Sequence, residues 1–239
     1  APVRYQYAQH AALAAKFGLQ VLAYEGGPDT FGGNNLTNKR LAYADPRMRT
    51  ICNKALDDWY KAGLGSFLWF SLGAANYNTQ FGQWPVLEDM SVPNTPRNLC
   101  LGDQALGVLP AITAGIAVPT IAPAASGGFV GSTTPNVAIT NATGSFGFPG
   151  FIEYLLRSDK PGRFNIRFRA QGSSDGKVQV SVNGVLQTGT TALPAGLTDS
   201  LPTTYTLREG LNVLRLTRPP SAGTWIIQTI SVEALPDAT

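Results

Sequence analysis

The chain has one histidine, His10, and two cysteines, Cys52 and Cys100, among 239 residues. A structural zinc site or a histidine-based catalytic triad has almost no material to work with, so no metal and no other cofactor is expected. His10 is read as a helix-surface residue. Charge is also scarce: Asp, Glu, Lys and Arg make up 14% of the chain and the formal net charge is +3. Basic residues so few and so scattered argue against a nucleic-acid partner. No apolar stretch reaches the roughly 18 uninterrupted residues of a membrane span, and residues 105–125 are broken by Pro110, Pro119 and Pro123. The opening "APVRYQYAQH" does not read as a signal peptide. Cys52 and Cys100 leave two states open, one bridge in an oxidising compartment or two buried thiols.

What the chain does have is glycine (26), proline (17) and 44% hydrophobic residues, a composition leaning towards strands and loops. The first hundred residues alternate helix and strand. In "RYQYAQHAALAAKFG", Tyr7, Ala11, Ala14 and Ala15 recur at helical spacing and Gly18 closes the helix. "LQVLAY" follows as a short buried strand ending at Glu25, Gly26, Gly27 and Pro28. "GGPDTFGGNNLTNKRLAYA" reads as a polar loop. In "DPRMRTICNKALDDWYKAG", Asp45 is a good N-cap, Pro46 takes the first helical position, and Met48, Ile51, Cys52, Ala55, Leu56 and Trp59 mark the buried stripe. "LGSFLWFSLGA" is then a second buried strand. Helix, strand, helix, strand with short connections predicts parallel strands joined by right-handed crossovers.

After residue 100 the character changes. Residues 101–129, small, apolar and proline-spaced, read as an extended linker or as packed extended segments. From about residue 130 the pattern has period two. Phe164, Ile166 and Phe168 face one way and Arg163, Arg167 and Arg169 the other, while Val178, Val180 and Val182 lead into Asn183-Gly184, a strong hairpin signal. "LNVLRLT" and "TWIIQTISVEAL" add strands. Residues 130–239 therefore read as an antiparallel β-sandwich.

In parallel α/β folds chemistry collects at the carboxyl ends of the strands, where Glu25 lies. The second strand leads from Trp69 and Phe70 into "SLGAANYNTQFGQW", bringing Asn76, Tyr77, Asn78, Gln80 and Trp84 towards the same rim. A carboxylate among aromatic rings and amides suits a sugar, whose apolar faces stack on rings while its hydroxyls take hydrogen bonds. Asp29, Glu88 and Asp89 are possible second carboxylates. The arginine row is either a solvated sheet face or a reader of acidic sugars.

"VLAYEGGPD", "DPRM...LDDWYKAG" and "GSFLWFSLGA...FGQWPVLED", over residues 5–100, resemble the last quarter of a (β/α)8 barrel of the clan A type of retaining glycoside hydrolases. The resemblance implies an α/β plus all-β chain, with a C-terminal fragment of a TIM-type barrel, its last two strands and helices, over residues 1–100. It implies Glu25 as the nucleophile and Trp69 as the platform under the sugar, with Asn76, Tyr77 and Trp84 as further substrate contacts. The general acid of that family is a glutamate on strand four, for which these residues hold no counterpart. The implied partners are a carbohydrate and an N-terminal barrel portion, in the same precursor or a separate chain. The second half is similar to the β-sandwich carbohydrate-binding modules often joined to such enzymes, chiefly in "GFIEYLLRSDKPGRFNIRFRAQG" and "LREGLNVLRLT". A secreted or cell-surface location goes with that class. The alternative is a non-catalytic binding or structural component of a surface, fibre or virion that keeps a barrel remnant and a sandwich for assembly.

Overall fold

The computed structural model describes residues 3–28, 32–73, 77, 79–80, 83–123, 129–132, 137–140, 143–146, 150–173, 176–187, 189–219, 223 and 225–236. Two compact units divide the chain, one of residues 1–7 and 20–113, the other of residues 8–19 and 114–239.

In the first unit, β1 (Ala23–Gly26) and β2 (Phe67–Trp69) form a parallel pair, with Ala23 opposite Phe67 and Gly26 opposite Trp69. Three helices accompany them: α2 (Leu36–Ala44), α3 (Arg47–Lys61) and α4 (Pro96–Leu106), while α1 (Val3–Phe17) begins in this unit. α3 starts one residue later than its sequence signal: Pro46 holds the N-cap position in place of Asp45, and the Asp45 carboxylate accepts from the backbone N–H of Arg47, the first helical residue, at 2.8 Å. Its buried stripe is narrower than expected. Cys52, Leu56 and Trp59 are buried, whereas Ile51 and Ala55 are exposed. α4 is opened by Thr95, whose hydroxyl accepts from the N–H of Asn98. Cys52 of α3 and Cys100 of α4 are joined as a disulfide, and Phe67 and Trp69 pack against the two cysteines and Leu56. Trp59 sets its indole edge-on to both Tyr7 and Phe67, with centroids 5.3 Å away in each case.

Two expectations for this half change. The segment read as a polar loop contains α2, which the sequence hides because it buries one side chain, Tyr43. The strands read as buried are short and covered on one face. Leu22, Tyr24, Leu68 and Phe70, alternating with the packed Phe67 and Trp69, are 42–73% exposed. A parallel strand buries both faces only when a layer lies on each, and α3 and α4 supply one.

The second unit is a sandwich of two sheets. One contains β3 (Ile116–Val118), β5 (Phe129–Ser132), β8 (Gly150–Ser158), β10 (Lys177–Val182), β11 (Val185–Leu186), β12 (Thr191–Ala192) and β15 (Gly210–Thr217). The other contains β4 (Thr120–Pro123), β6 (Val137–Thr140), β7 (Thr143–Phe146), β9 (Gly162–Gly172), β13 (Thr198–Asp199), β14 (Thr203–Leu207) and β16 (Trp225–Ala234). The inward residues foreseen from the alternation, Phe164, Ile166, Phe168, Val178, Val180 and Val182, meet Tyr154, Leu214, Leu216, Trp225 and Ile227 in one core. Each such side chain contributes about 1.5–3 kcal/mol through its burial. Asn183 and Gly184 take φ of 52° and 77°, the two positive values that a two-residue hairpin of the favoured hand requires.

Among the described residues, pairing in this unit is antiparallel except for β3, which runs parallel to β8. The small apolar segment 114–123 thus adds one strand to each sheet, β3 beside β8 and β4 beside β16. α4 continues past residue 100, where the first domain was expected to end. From Ala8 onward α1 belongs to this unit, with Ala12 and Ala15 packed on Leu155 and Val213. Gly18, at φ 68°, ends that helix as its sequence position foretells, and His10 is exposed upon it. The arginine row is a charged outer face in which Arg167 pairs with Glu233 and Arg169 with Asp199.

Candidate functional site

Glu25 is the third residue of β1 and exposed. Beyond it the chain turns through Gly26, Gly27 and Pro28, and these four residues line a cavity of about 370 Å³ together with Phe70 and Trp84. Glycine is required at 26 and 27 for a packing reason. A Cβ on Gly26 would collide with the ring of Phe67, and one on Gly27 would lie 3.0 Å from the indole of Trp69 while φ there is 132°. The two glycines let the rings of β2 pass under the turn, and the turn carries Glu25 to the rim.

Phe70 and Trp84 face one another at 5.7 Å between centroids, tilted by 59°. Alternation along β2 decides which aromatic residue reaches the cavity. Phe70 lies on the open face, whereas Trp69 lies on the packed face and lines a second, mainly apolar cavity with Tyr7, Ile51, Leu56 and Phe67. Trp69 still touches the site indirectly, since its indole Nε1 donates to the carbonyl of Trp84 at 3.2 Å. The sequence signal for Phe70 was present in the alternation itself, but two adjacent aromatic residues do not announce which one faces out.

Tyr77, expected as an exposed loop aromatic, is buried and does not line the Glu25 cavity. Its phenol donates to the carbonyls of Pro85 (2.7 Å) and Val86 (3.0 Å), and burial raises its pKa. Arg97, fully buried and unforeseen, completes the support. Its Nη1 donates to the carbonyls of Gln83 at 2.6 Å and Trp84 at 3.2 Å. Its guanidinium lies 3.9 Å from the ring centre of Tyr43 and 4.7 Å from that of Tyr77. Burial lowers its pKa, opposed by the two tyrosines, and cation–π contact takes the place of a counter-ion. Thr95 adds a hydrogen bond to the Val86 carbonyl at 3.0 Å. Side chains thus hold four successive carbonyls, 83 to 86, and fix the segment that presents Trp84.

Of the possible second carboxylates, Glu88 is engaged by Arg40 and by the N–H of Tyr77. Asp89 accepts from the backbone and hydroxyl of Ser91. Asp29, Asn76 and Asn78 lie outside the described residues. Among the described residues the cavity has one carboxylate, and no cluster of three or more metal-ligating side chains occurs. No described helix is long and apolar enough to cross a membrane.

No family model matches the chain, and no curated protein does. Among solved structures, a ruminal GH26 endo-β-1,4-mannanase aligns at 19% identity and TM-score 0.38, over 50% of this chain and 27% of its own. A family 35 carbohydrate-binding module from Paenibacillus barcinonensis aligns at 20% identity and TM-score 0.38, over 48% of this chain and 99% of its own. The C-terminal family 6 module of a Zobellia galactanivorans laminarinase aligns at 15% identity and TM-score 0.39, over 48% and 98%. The chain thus spans about a quarter of the mannanase, and TM-scores of this size assign no function to it.

Proposed function

We propose that this chain is the carboxyl-terminal part of a retaining glycoside hydrolase acting on a polysaccharide or glycan, with Glu25 as the nucleophile. The observation that carries this reading is the placement of Glu25 at the carboxyl end of a parallel strand, in one cavity with the tilted rings of Phe70 and Trp84. A retaining mechanism needs a second carboxyl group about 5–5.5 Å from the first, acting as acid and then base. The described cavity has none, so this reading puts the acid/base residue on barrel strands beyond these residues. Leu22, Tyr24, Leu68 and Phe70 support it, because this open apolar face is the one that the inside of a completed barrel would cover. The Cys52–Cys100 bridge suits a secreted or cell-surface protein.

The test is Glu25→Gln in the natural protein as isolated, assayed on β-mannan, xylan and β-glucan. Turnover should fall to background while binding to the same polysaccharide stays within about twofold. Unchanged turnover removes Glu25 from the mechanism. A second reading, a non-catalytic carbohydrate-binding or structural surface component, is favoured by the same apolar face if a second copy of the chain covers it. An intact mass near 25.3 kDa for the natural protein, with self-association and no hydrolysis, would decide for assembly.

A further inference from the structure

The asparagines of this chain differ in what their side-chain amides do. The Nδ2 groups of Asn53, Asn98, Asn183 and Asn212 each donate within the fold, to the Asp103 carboxylate, the Pro93 carbonyl, the Asn212 amide oxygen and the Arg208 carbonyl respectively. None of these four is followed two residues later by Ser or Thr. Asn35 is the opposite case. It is exposed and holds the N-cap position of α2, yet its side chain makes no capping hydrogen bond, and it opens the triplet Asn35-Leu36-Thr37. Asparagine, any residue but proline, then serine or threonine is the acceptor pattern for an N-linked glycan in a secreted protein.

The local fold presents this triplet outward. Asn35 has φ 57° and ψ 37°, a left-handed conformation that asparagine adopts more readily than most residues. The turn before it is held by its backbone, since Lys39 Nζ donates to the Gly32 carbonyl at 2.7 Å and the Gly32 N–H donates to the Gln80 carbonyl at 2.9 Å. Gly33, Asn34, Thr37 and Asn38 are exposed around it, and Tyr43 is the side chain that α2 buries. A bulky group on Asn35 therefore displaces no packed contact. The Cys52–Cys100 disulfide is an independent observation, because such bridges persist in the oxidising compartments of secretion. We propose that Asn35 is an N-glycosylation site. The donor is a lipid-linked oligosaccharide diphosphate: the bond from the first sugar's anomeric carbon to the diphosphate oxygen breaks, and a bond from that carbon to Asn35 Nδ2 forms. The amide gives up one proton and the lipid diphosphate leaves, with no oxidation or reduction. A second triplet, Asn141-Ala142-Thr143, begins outside the described residues and adds nothing to this argument.

The experiment is peptide mapping of the natural protein as isolated. Trypsin releases residues 17–39 as one peptide. That peptide should carry the added mass of N-acetylhexosamine and hexose units, and peptide N-glycosidase in heavy-oxygen water should remove this mass and leave a labelled aspartate at position 35. Thr37→Ala, produced in the natural host, keeps Asn35 and its backbone but removes the hydroxyl of the triplet. Occupancy should then fall to background, and Thr37→Ser should restore it. The proposal is overturned by an unmodified 17–39 peptide, by a glycan that Thr37→Ala leaves at full occupancy, or by a label at another residue of the peptide. Since Asn35 does not line the Glu25 cavity, each of these results leaves the reading of that cavity standing, and the intact-mass comparison is then made on the deglycosylated protein.

Discussion

The ring of Phe67 occupies the space that a side chain on Gly26 would need. The obstructing atoms belong to the ring itself, which is held on its other sides by Trp59 and by the Cys52–Cys100 cluster. Gly26→Ala should therefore destabilise the first unit by about 1–3 kcal/mol, the usual cost of overpacking. Urea denaturation monitored by tryptophan fluorescence measures this, and a midpoint equal to that of the parent would show that Phe67 moves freely.

Arg97 should act on Trp84 without touching a ligand. Arg97→Met leaves the Gln83 carbonyl without this donor, at about 1–3 kcal/mol for a buried group left unpaired, and leaves the Trp84 carbonyl with the Trp69 indole. Arg97→Lys restores the charge but not the planar fork that stacks between two tyrosines. Both variants should shift or broaden the Trp84 indole resonance, with methionine the worse of the two. An unchanged indole signal in Arg97→Lys would mean that charge alone suffices.

If Phe70 and Trp84 form a sugar platform, replacing either by alanine removes a stacking contact of about 0.5–1.5 kcal/mol. Affinity electrophoresis of the natural protein in β-mannan, xylan and β-glucan gels should then show binding weakened by about threefold to tenfold. Tyr77→Phe is the contrast. It removes a phenol that holds the Pro85 and Val86 carbonyls, so it should lower stability more than it lowers affinity in any direct contact sense, and equal affinity losses in all three variants would count against a platform.

The disulfide closes a loop between positions 48 residues apart. Chain-entropy reasoning assigns about 4 kcal/mol to a loop of that length. Cys52→Ala with Cys100→Ala, or reduction, should lower the denaturation midpoint of the first unit and leave that of the sandwich in place. A shift shared equally by both transitions would show the units to be energetically coupled.

Asp103 receives hydrogen bonds from Arg49 and Asn53, which hold its carboxyl pKa at about 2 against an ordinary 3.8. A depressed folded-state value means that the stabilisation is complete above the ordinary value and is lost as pH falls towards the folded one. Asp103→Asn should therefore lie closest to the parent in thermal stability at about pH 2 and fall below it by about pH 5. A difference between the two proteins that does not change with pH would exclude the ionised carboxylate as its source.

The sequence alone determined the elements whose side chains repeat with a fixed period or whose turns require particular residues. β9 and β10 alternate, α3 starts just after Asp45-Pro46, Gly18 stops α1, and Asn183-Gly184 makes the hairpin. These are local matters, settled by backbone sterics and by the difference between period two and period 3.6. α2 escaped because one buried tyrosine leaves no periodic trace, and β3 and β4 because small apolar residues spaced by prolines fit several extended arrangements.

The position of Glu25 at a strand end was also legible, since apolar strand, carboxylate and glycine pair follow one another in order. Tertiary structure decided the rest of the site. Whether Trp69 or Phe70 faces the cavity depends on which side of β2 is covered by α3 and α4, and that layering leaves no local mark in two adjacent aromatic residues. Tyr77 became a support and Arg97 a buried clamp because residues 14 positions apart, Gln83 and Arg97, come within hydrogen-bonding distance. A carbonyl gains a partner of that kind only when the chain has folded back on itself, so burial and the satisfaction of polar groups were decided in three dimensions.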